Sequence, residues 1–369
     1  MIKSEICKLV KIKAIIVAFL LLIGVTVYSM FTFGAFGHNS SIFLFITFSE
    51  KDGELLTGQK GYEQNKDIAT RYAGAVNDLL LEQLHLDFIN SSYFSFEDGD
   101  RLYNATFRFF QNVFNIDSEN HAKVSDVWGK VDSTVQYGFS GDWDAYRSII
   151  NIFFMSFSVF IIILAAPLFT YDKECGMVEL LGTVKNGGRW SFKHKVRTAF
   201  CTINILLFIL LTIISAIHFS RYGFANADMS IQCSFEQRFT NVEISLTLSQ
   251  FAFWQILFGI IGCNTILLLI ILISMLSQTT LTAFAISLAS TWFFSYSAIK
   301  LIANDYLSNL LLFTMPVNAL NTAALVREVS AGYALWGIFT VRIILFAILL
   351  FAINLIWQKK YILLSRRGD

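Results

Sequence analysis

The sequence predicts an all-α polytopic membrane protein, with six transmembrane helices and a mainly helical extracytoplasmic domain between the first and the second. Three observations support this fold class: the composition, a series of long apolar runs, and the distribution of Lys and Arg. Of 369 residues, 55% are hydrophobic, only 15% are charged and 37 are Phe. A water-soluble domain of this length could not bury so much apolar surface, so lipid has to cover the rest.

Six apolar runs are long enough to cross about 30 Å of hydrocarbon as helices. The first is longer than the core of a signal peptide and no small-residue cleavage site follows it, so we expect an anchored helix. Only three residues separate the fourth run from the fifth, and a single helix of their combined length would exceed the bilayer, so we expect a tight hairpin. The six runs are 12–36, 149–171, 198–219, 251–276, 280–302 and 334–357.

Basic residues cluster beside the runs in a pattern that predicts orientation. They lie before the first run, between the second and third, and after the sixth, and such clusters are typical of the cytoplasmic side. Both termini are therefore expected in the cytoplasm, in a multi-pass protein of the cell membrane. Residues 37–147 are expected outside and carry 17 Asp and Glu against 9 Lys and Arg. The three clusters are Lys3, Lys8, Lys11 and Lys13; Lys173, Lys185, Arg189, Lys193, Lys195 and Arg197; and Lys359, Lys360, Arg366 and Arg367.

The outer domain, 37–147, contains apolar residues at helical spacing. Three stripes predict three or four amphipathic helices around a small core, with Gly74 as a break in the first. Residues 42–48 are β-branched and aromatic enough for a short strand, or they extend the first helix. The stripes are Ile68, Tyr72, Val76, Leu80, Leu84 and Phe88; Leu102, Thr106, Phe109 and Val113; and Val124, Val127, Val131 and Val135.

Motifs of catalysis and metal binding do not occur in the sequence. It has no P-loop pattern, no H-E-x-x-H, no CxxC and no Gly-x-Ser-x-Gly. The five histidines are scattered, and none lies at metal-ligand spacing from Cys or a carboxylate. We therefore expect no catalytic site and no cofactor within this chain, and the near-neutral net charge of +1 gives no indication of nucleic-acid binding.

A few polar residues lie within the apolar runs. Arg342 lies about 12 Å from the outer end of the sixth run at 1.5 Å per residue, and either snorkelling to the interface or a role in an intramembrane pathway explains it. Lys300 lies near a helix end and is expected to snorkel. The fifth run carries small residues at three- and four-residue spacing, which favours close helix packing. They are Ala283, Ala285, Ser287, Ala289 and Ser290.

The segment between the fifth and sixth runs, 303–333, has an apolar stretch too short to cross a membrane. Met315-Pro316 interrupts it, and Asn318 and Asn321 follow. Such a pattern indicates short helices that either dip into the outer leaflet as a re-entrant element or lie along the interface. A re-entrant element often closes a translocation path.

The cytoplasmic segment 172–197 carries the most informative motif. It has an acidic-basic-x-x-Gly start, a Leu-Leu pair, a turn that ends in Arg, and a Lys at the next run. Here it resembles the permease subunits of ABC-2 type ATP-binding cassette exporters, although the turn before the Arg is one residue longer than usual. The alternative is that these charges only set orientation. The matching residues are Asp172, Lys173 and Gly176; Leu180 and Leu181; Arg189; and Lys195.

Two further features extend the resemblance over the whole chain. Residues 1–11 look like the short cytoplasmic amphipathic helix that precedes the first span in that family. One span, a large outer domain and then five spans is the topology of a Gram-positive-like subgroup, whose outer segment contains a stretch similar to 65–74. The resemblance implies two permease copies, like or unlike, with two ABC ATPase subunits that bind ATP and Mg²⁺.

A physical argument for docking also follows from the residues. A permease without a nucleotide site has to receive work through a contact with a soluble partner. A short helix with an apolar face of Met177, Leu180 and Leu181, flanked by charges such as Glu179 and Arg189, can fit into a groove of such a partner. The wealth of Phe and the large outer domain suit an amphipathic peptide, antibiotic or lipid-like cargo. The alternative function is a membrane-anchored sensor or assembly protein whose outer domain binds a ligand.

Overall fold

The computed structural model is mainly helical over the residues it describes. Ten α-helices follow one another in that part of the chain, with two 3-10 turns, Ile231–Cys233 and Pro316–Leu320, and four two-residue strands. The helices are α1 Lys13–Thr32, α2 Gly58–Arg71, α3 Gly141–Ala165, α4 Pro167–Glu174, α5 Gly187–Tyr222, α6 Leu248–Leu276, α7 Thr280–Trp292, α8 Asp305–Thr314, α9 Thr322–Val329 and α10 Leu335–Ser365. The described residues are 13–35, 47–48, 55–75, 135–177, 187–234, 239, 242, 244–293, 295, 305–329 and 335–365.

Five of the six predicted spans are confirmed as helices long and apolar enough to cross a membrane. The remaining run, 280–302, is described as the 13-residue apolar helix α7, and most of the run beyond Trp292 lies outside the described residues. A sixth span therefore stays a prediction. The five long helical ranges are Lys13–Thr32, Gly141–Glu174, Ser191–Tyr222, Leu248–Leu276 and Leu335–Lys359.

Helices α3 and α6 form the centre of the bundle. Two thirds of the most apolar window of each is buried within the chain, against 22% for α5 and 17% for α10, which lie at the periphery. Their close approach depends on a glycine: a Cβ built on Gly259 would lie 2.1 Å from the ring of Phe154. Of the small residues predicted to pack in α7, Ala283 and Ser287 are fully buried, whereas Ala285 and Ala289 are exposed.

Contacts between helix ends give the bundle two distinct ends. At one end, Trp254 near the start of α6 meets Trp336 near the start of α10, with ring centroids 4.8 Å apart. At the other, Phe192 near the start of α5 stacks on Trp357 of α10 at 5.1 Å. We call the first the α2 end, because α2 packs there, and the second the α4 end. Helices α3, α6 and α10 begin at the α2 end, whereas α5 begins at the α4 end.

The described part of the outer domain mixes helix and strand. Helix α2 ends at Arg71, and Gly74 follows with φ +145°, so the predicted break is confirmed and only Gly avoids strain there. Strand β1, Thr47–Phe48, pairs antiparallel with β2, Leu55–Leu56, and β3, Gly74–Ala75, pairs with β4, Gln136–Tyr137. The other predicted helical stripes lie outside the described residues, except that Val135 is buried and not helical.

The segment between α7 and α10 folds as two short helices around a 3-10 turn. Helix α8 ends before Pro316, the 3-10 turn Pro316–Leu320 follows, and α9 comes after the turn. The turn packs against Gly262, where an added Cβ would lie 2.9 Å from the Cβ of Ala319. Gly262 is the central residue of α6, with 14 residues on each side. The turn thus lies against the middle of the central helix. Insertion into a membrane stays a prediction, and we call residues 305–329 the re-entrant segment after that prediction.

Candidate functional site

The site predicted for partner docking begins where α3 continues into α4, at a proline. Pro167 has no N–H to donate to the preceding turn, which weakens the helix at that point. Ser274 of α6 lies against this point: its hydroxyl accepts from the Phe169 N–H at 3.1 Å and donates to the Ala166 carbonyl at 2.8 Å. Ser274 is fully buried. One hydroxyl therefore ties the α3–α4 joint to α6.

Asp172, the first predicted docking residue, contacts α5. Its Oδ2 accepts from Lys195 Nζ, which also donates to the Leu168 carbonyl at 2.8 Å. The Lys195 side chain is 8% exposed and that of Asp172 18%, so the ion pair is mostly shielded from water. Lys195 fixes the start of α5 to α4, and its docking role stays a prediction.

Lys173 closes the C-terminal end of α6. Its ammonium donates to the carbonyls of Ser274, Met275 and Ser277, at 3.2 Å for the first and 2.8 Å for the second. The last carbonyls of a helix have no intrahelical partner, and they carry the negative end of the helix dipole. The Lys173 ammonium donates hydrogen bonds to these carbonyls and also places a positive charge at the negative end of the helix dipole.

Glu174 stabilises the N-terminal end of α7, as Lys173 stabilises the C-terminal end of α6. Its carboxylate accepts from the Thr280 backbone N–H at 2.6 Å and from the Thr280 hydroxyl at 3.0 Å. Thr280 is the first residue of α7, where an anion is stabilised by unpaired N–H groups and the positive end of the dipole. Thr170 adds a hydroxyl contact to Thr280 at 2.9 Å. The sequence motif gave no indication of this role for Glu174.

Asp172, Lys173 and Glu174 together form what we call the α4 junction. Three consecutive side chains reach three different helices, α5, α6 and α7, so the end of α4 is tied to each of them. The sequence motif indicated a functional segment, but Ser274 and Thr280 could not be found from it, because each lies about 100 residues away along the chain. The α4 junction thus connects α4 to three other helices of the bundle.

The remaining predicted docking residues follow directly after the junction. Gly176 has φ +66°, the left-handed conformation that commonly ends a helix, and Met177 is 41% exposed. Glu179, Leu180 and Leu181 lie outside the described residues. The backbone of Arg189 belongs to the first turn of α5, which begins at Gly187. The structure thus brings Asp172, Lys173 and Lys195 together and leaves the apolar docking face as a prediction.

Arg342, the candidate pathway residue, is buried and bound to the re-entrant segment. Pro316 has no N–H, so the Leu312 carbonyl four residues earlier loses its helical partner. The guanidinium of Arg342 donates to that carbonyl at 3.0 Å and also to the carbonyls of Thr314 and Met315. At 1% exposure the side chain does not reach an interface, so snorkelling does not describe it. Arg342 fastens the broken end of α8 to α10.

A second polar cluster, at the α2 end, was not singled out from the sequence. Asp144 accepts from the hydroxyls of Ser140 and Ser234 at 2.8 and 2.6 Å and pairs with Arg147 at 3.1 Å. Phe239 and Phe251 lie 4.9 and 5.7 Å from the guanidinium carbon of Arg147. The signal was three charges in six residues directly before an apolar run, at positions 142, 144 and 147.

Helix α2 is joined to the bundle beside this cluster. Tyr62 donates to Asp142 Oδ2 at 3.3 Å, and its ring packs edge-on against Phe139 at 5.2 Å. Burial, with the Asp142 carboxylate as a further cause, raises the pKa of Tyr62, so its hydroxyl keeps the proton that it donates. His218 Nε2 lies 3.0 Å from the Asp142 carbonyl. The described part of the outer domain is thereby fixed to α3.

Two asparagines cross-link α5 and α6 within their apolar stretches. Asn204 donates to Asn264 at 2.9 Å, and Asn264 donates back at 3.0 Å. Reciprocal amide bonds of this kind hold apolar helices together where packing gives no hydrophobic driving force. Among the described residues, no group of three His, Cys, Asp or Glu could hold a metal ion.

Comparison of the chain with protein-family models, with curated proteins and with solved structures found no match. The assignment of a family consequently depends on the residues and the geometry described above.

Proposed function

We propose that this chain is the membrane-spanning permease subunit of an ATP-driven ABC-2-like exporter, with ATP and Mg²⁺ bound and hydrolysed by a separate ATPase chain. The observation that carries the proposal is the α4 junction, in which Asp172, Lys173 and Glu174 hold three neighbouring helices. The rest of the predicted docking segment, 172–197, follows directly after it. A force applied to that segment would therefore reach several helices of the bundle at once.

The proposal includes an orientation, because a soluble ATPase has to meet the α4 end in the cytoplasm. Both termini would lie on that side of the cell membrane, and residues 37–147 outside. The basic residues Lys173, Lys195 and Lys359 all lie at the α4 end, as cytoplasmic loops require. By the resemblance, a second permease copy completes the assembly. An amphipathic peptide, antibiotic or lipid-like molecule is the proposed cargo.

Cysteine labelling tests the orientation. In a background without the five native cysteines, Asn120→Cys should react with an impermeant thiol reagent on intact cells, whereas Asn186→Cys should react only after permeabilisation. The measurement is labelled protein on a gel before and after permeabilisation. Labelling of Asn186→Cys from outside would contradict the proposed orientation and with it the position of the ATPase.

Leu180→Asp tests the function. A carboxylate placed in a buried apolar contact costs at least about 3 kcal/mol, which corresponds to a loss of affinity of more than about 100-fold. We expect the variant to insert normally but to lose the cognate ATPase in a pull-down, with loss of permease-dependent ATP turnover in lipid. Arg189→Glu should weaken association less, because a charge at the rim of an interface contributes less than a buried anchor.

Gln358→Asp provides the matched control. It adds the same carboxylate at the exposed α4 end of α10, outside the docking segment, and should leave association unchanged. Equal binding and turnover for Leu180→Asp and the unmodified chain would contradict the docking role. The alternative, a membrane-anchored sensor or assembly protein, would then gain support from the Tyr62–Asp142 contact that joins the outer domain to the bundle.

A further inference from the structure

Helix α6 is held at two points by the two parts of the molecule that the proposed function has to connect. Its C-terminal end contacts the α3–α4 joint through the Ser274 hydroxyl and the α4 junction through the carbonyls that Lys173 caps. Its centre, at Gly262, contacts the 3-10 turn of the re-entrant segment. Twelve residues separate Ser274 from Gly262, about 18 Å at 1.5 Å per residue. A continuous helix spans that distance without a break.

The contact at the end of α6 is a bridge and not a simple packing contact. Ser274 accepts from the Phe169 N–H and donates to the Ala166 carbonyl, so one hydroxyl bonds both sides of Pro167. Because the helix is weakened at the proline, α4 can change its angle to α3 more easily here than elsewhere. Any such change has to displace Ser274 or break two buried hydrogen bonds.

The contact at the centre of α6 leaves no free space. A Cβ on Gly262 would lie 2.9 Å from Ala319 Cβ, 3.0 Å from Leu320 Cδ2 and 3.4 Å from the Pro316 carbonyl. A close-packed contact of this kind cannot absorb a helix shift of about 1 Å, so the turn has to move with the helix. On its other side the same segment is fastened to α10 by Arg342.

We infer that α6 transmits movement between the α4 junction and the re-entrant segment, with Ser274 and Gly262 as the two positioning residues. The inference deepens the proposed function, because the partner ATPase would supply the movement of α4. Every contact that makes this connection lies within this chain. It predicts that a change at Ser274 alters the re-entrant segment about 18 Å away.

The test uses the full chain in lipid nanodiscs, without native cysteines and with Ala323→Cys as a probe in α9. Ala323 is partly buried and packs against the core, so the reaction rate of the probe thiol reports how often α9 opens. We expect Ser274→Ala to change that rate between about twofold and thirtyfold, the range of couplings carried by packed networks. Gly262→Ala should also change it. The two effects should not multiply in the double variant, although sites this far apart normally act independently.

Ser158→Ala is the matched control. Ser158 is equally buried but bonds the Met155 carbonyl of its own helix, α3, so the probe rate should stay unchanged. Should Ser274→Ala fail to fold, Lys173→Gln disturbs the same end of α6 and takes its place. A probe rate that responds to neither Ser274→Ala nor Lys173→Gln would overturn the inference, and so would rate effects of Ser274→Ala and Gly262→Ala that multiply.

A second arm adds the ATPase with Mg-ATP. Nucleotide should change the probe rate in the parent chain, and Ser274→Ala should suppress that change while association with the ATPase persists. Retention of the full nucleotide response by Ser274→Ala would count against the inference. An ATPase that does not associate at all would refute the proposed function, and the isolated chain would still decide whether α6 couples the two contacts.

Discussion

The chain buries two arginines in the described residues, and their surroundings differ in a way that separates two regions of the molecule. Arg147 is 5% exposed at the α2 end and Arg342 is 1% exposed within the bundle. Arg147 has a carboxylate partner, Asp144, at 3.1 Å. The hydrogen bonds of Arg342 in the structure run to three backbone carbonyls. One charge is neutralised by another charge, and the other only by dipoles.

The Arg147 region is closed. Each oxygen of Asp144 accepts a serine hydroxyl, the guanidinium lies against two Phe rings, and Gln255 donates to the Arg147 carbonyl at 2.9 Å. A buried ion pair whose carboxylate also accepts two hydroxyls holds the surrounding side chains in one arrangement. The comparison indicates that the α2 end of α3 is a fixed joint.

The hydrogen bonds of Arg342 depend on the conformation of the re-entrant segment. The carbonyls that hold Arg342 are available only because α8 is broken at Pro316. If the segment moved away, the guanidinium would lose its acceptors, and a bare charge in an apolar setting costs several kcal/mol. The stability of this region is therefore coupled to the position of the re-entrant segment.

The largest predicted effect is at the closed joint. Arg147→Met keeps most of the side-chain volume but leaves the Asp144 carboxylate buried without its cation, which costs about 3 kcal/mol of unfolding free energy. The value is at the lower end of the usual range because the hydroxyls of Ser140 and Ser234 remain. Chemical unfolding in detergent micelles measures it.

Arg71→Met gives the matched control for this prediction. Arg71 pairs with Asp67 in α2, but the side chains are 49% and 65% exposed, and exposed pairs contribute about 0–1 kcal/mol. Equal destabilisation by the two variants would show that the burial of the Arg147 pair has no energetic significance and would remove the distinction between a closed joint and a surface pair.

The spans could be predicted from the sequence because lipid imposes a simple rule on it. About 20 apolar residues are required for each crossing, so five helices follow from hydropathy alone. The helix ends were less predictable. Helix α3 begins at Gly141, within the range assigned to the outer domain, since its first two turns carry charges that Ser234 and Tyr62 satisfy. Hydropathy contains no information about such partners.

For each contact in the candidate site, the sequence indicated only one of the two partners. The motif at Asp172 and Lys173 indicated a functional segment, and Pro316 indicated a break. The partners, such as Ser274 or the Leu312 carbonyl, are ordinary serines and backbone groups whose role exists only after folding. An isolated Arg in an apolar run has two interpretations until the structure identifies its acceptors.

A smaller effect is predicted at Arg342. It tests whether the helix break at Pro316 is the reason why Arg342 binds the Leu312 carbonyl. Arg342→Met should cost about 2 kcal/mol, because the Leu312 carbonyl is left buried without a donor. Pro316→Ala supplies an N–H that can donate to that carbonyl once Met315 turns from its extended conformation, ψ 127°, into the helical one. Alone, Pro316→Ala should be destabilising by about 0.4–1 kcal/mol, since the unfolded chain gains freedom. In the Arg342→Met background the new N–H should return about 1 kcal/mol, which would leave Pro316→Ala neutral or stabilising there.

The decisive quantity is therefore the interaction energy of the double-mutant cycle, expected at about 1 kcal/mol and measured by unfolding in detergent micelles. Pro167→Ala is the matched control, because the chain's only other proline lies at the start of α4, away from the re-entrant segment, and should add independently to Arg342→Met. If Pro316→Ala has the same effect with and without Arg342, the guanidinium does not substitute for the missing N–H. The hydrogen bonds from Arg342 to the carbonyls of α8 would then not depend on the missing N–H, and the helix break would not explain why Arg342 binds there.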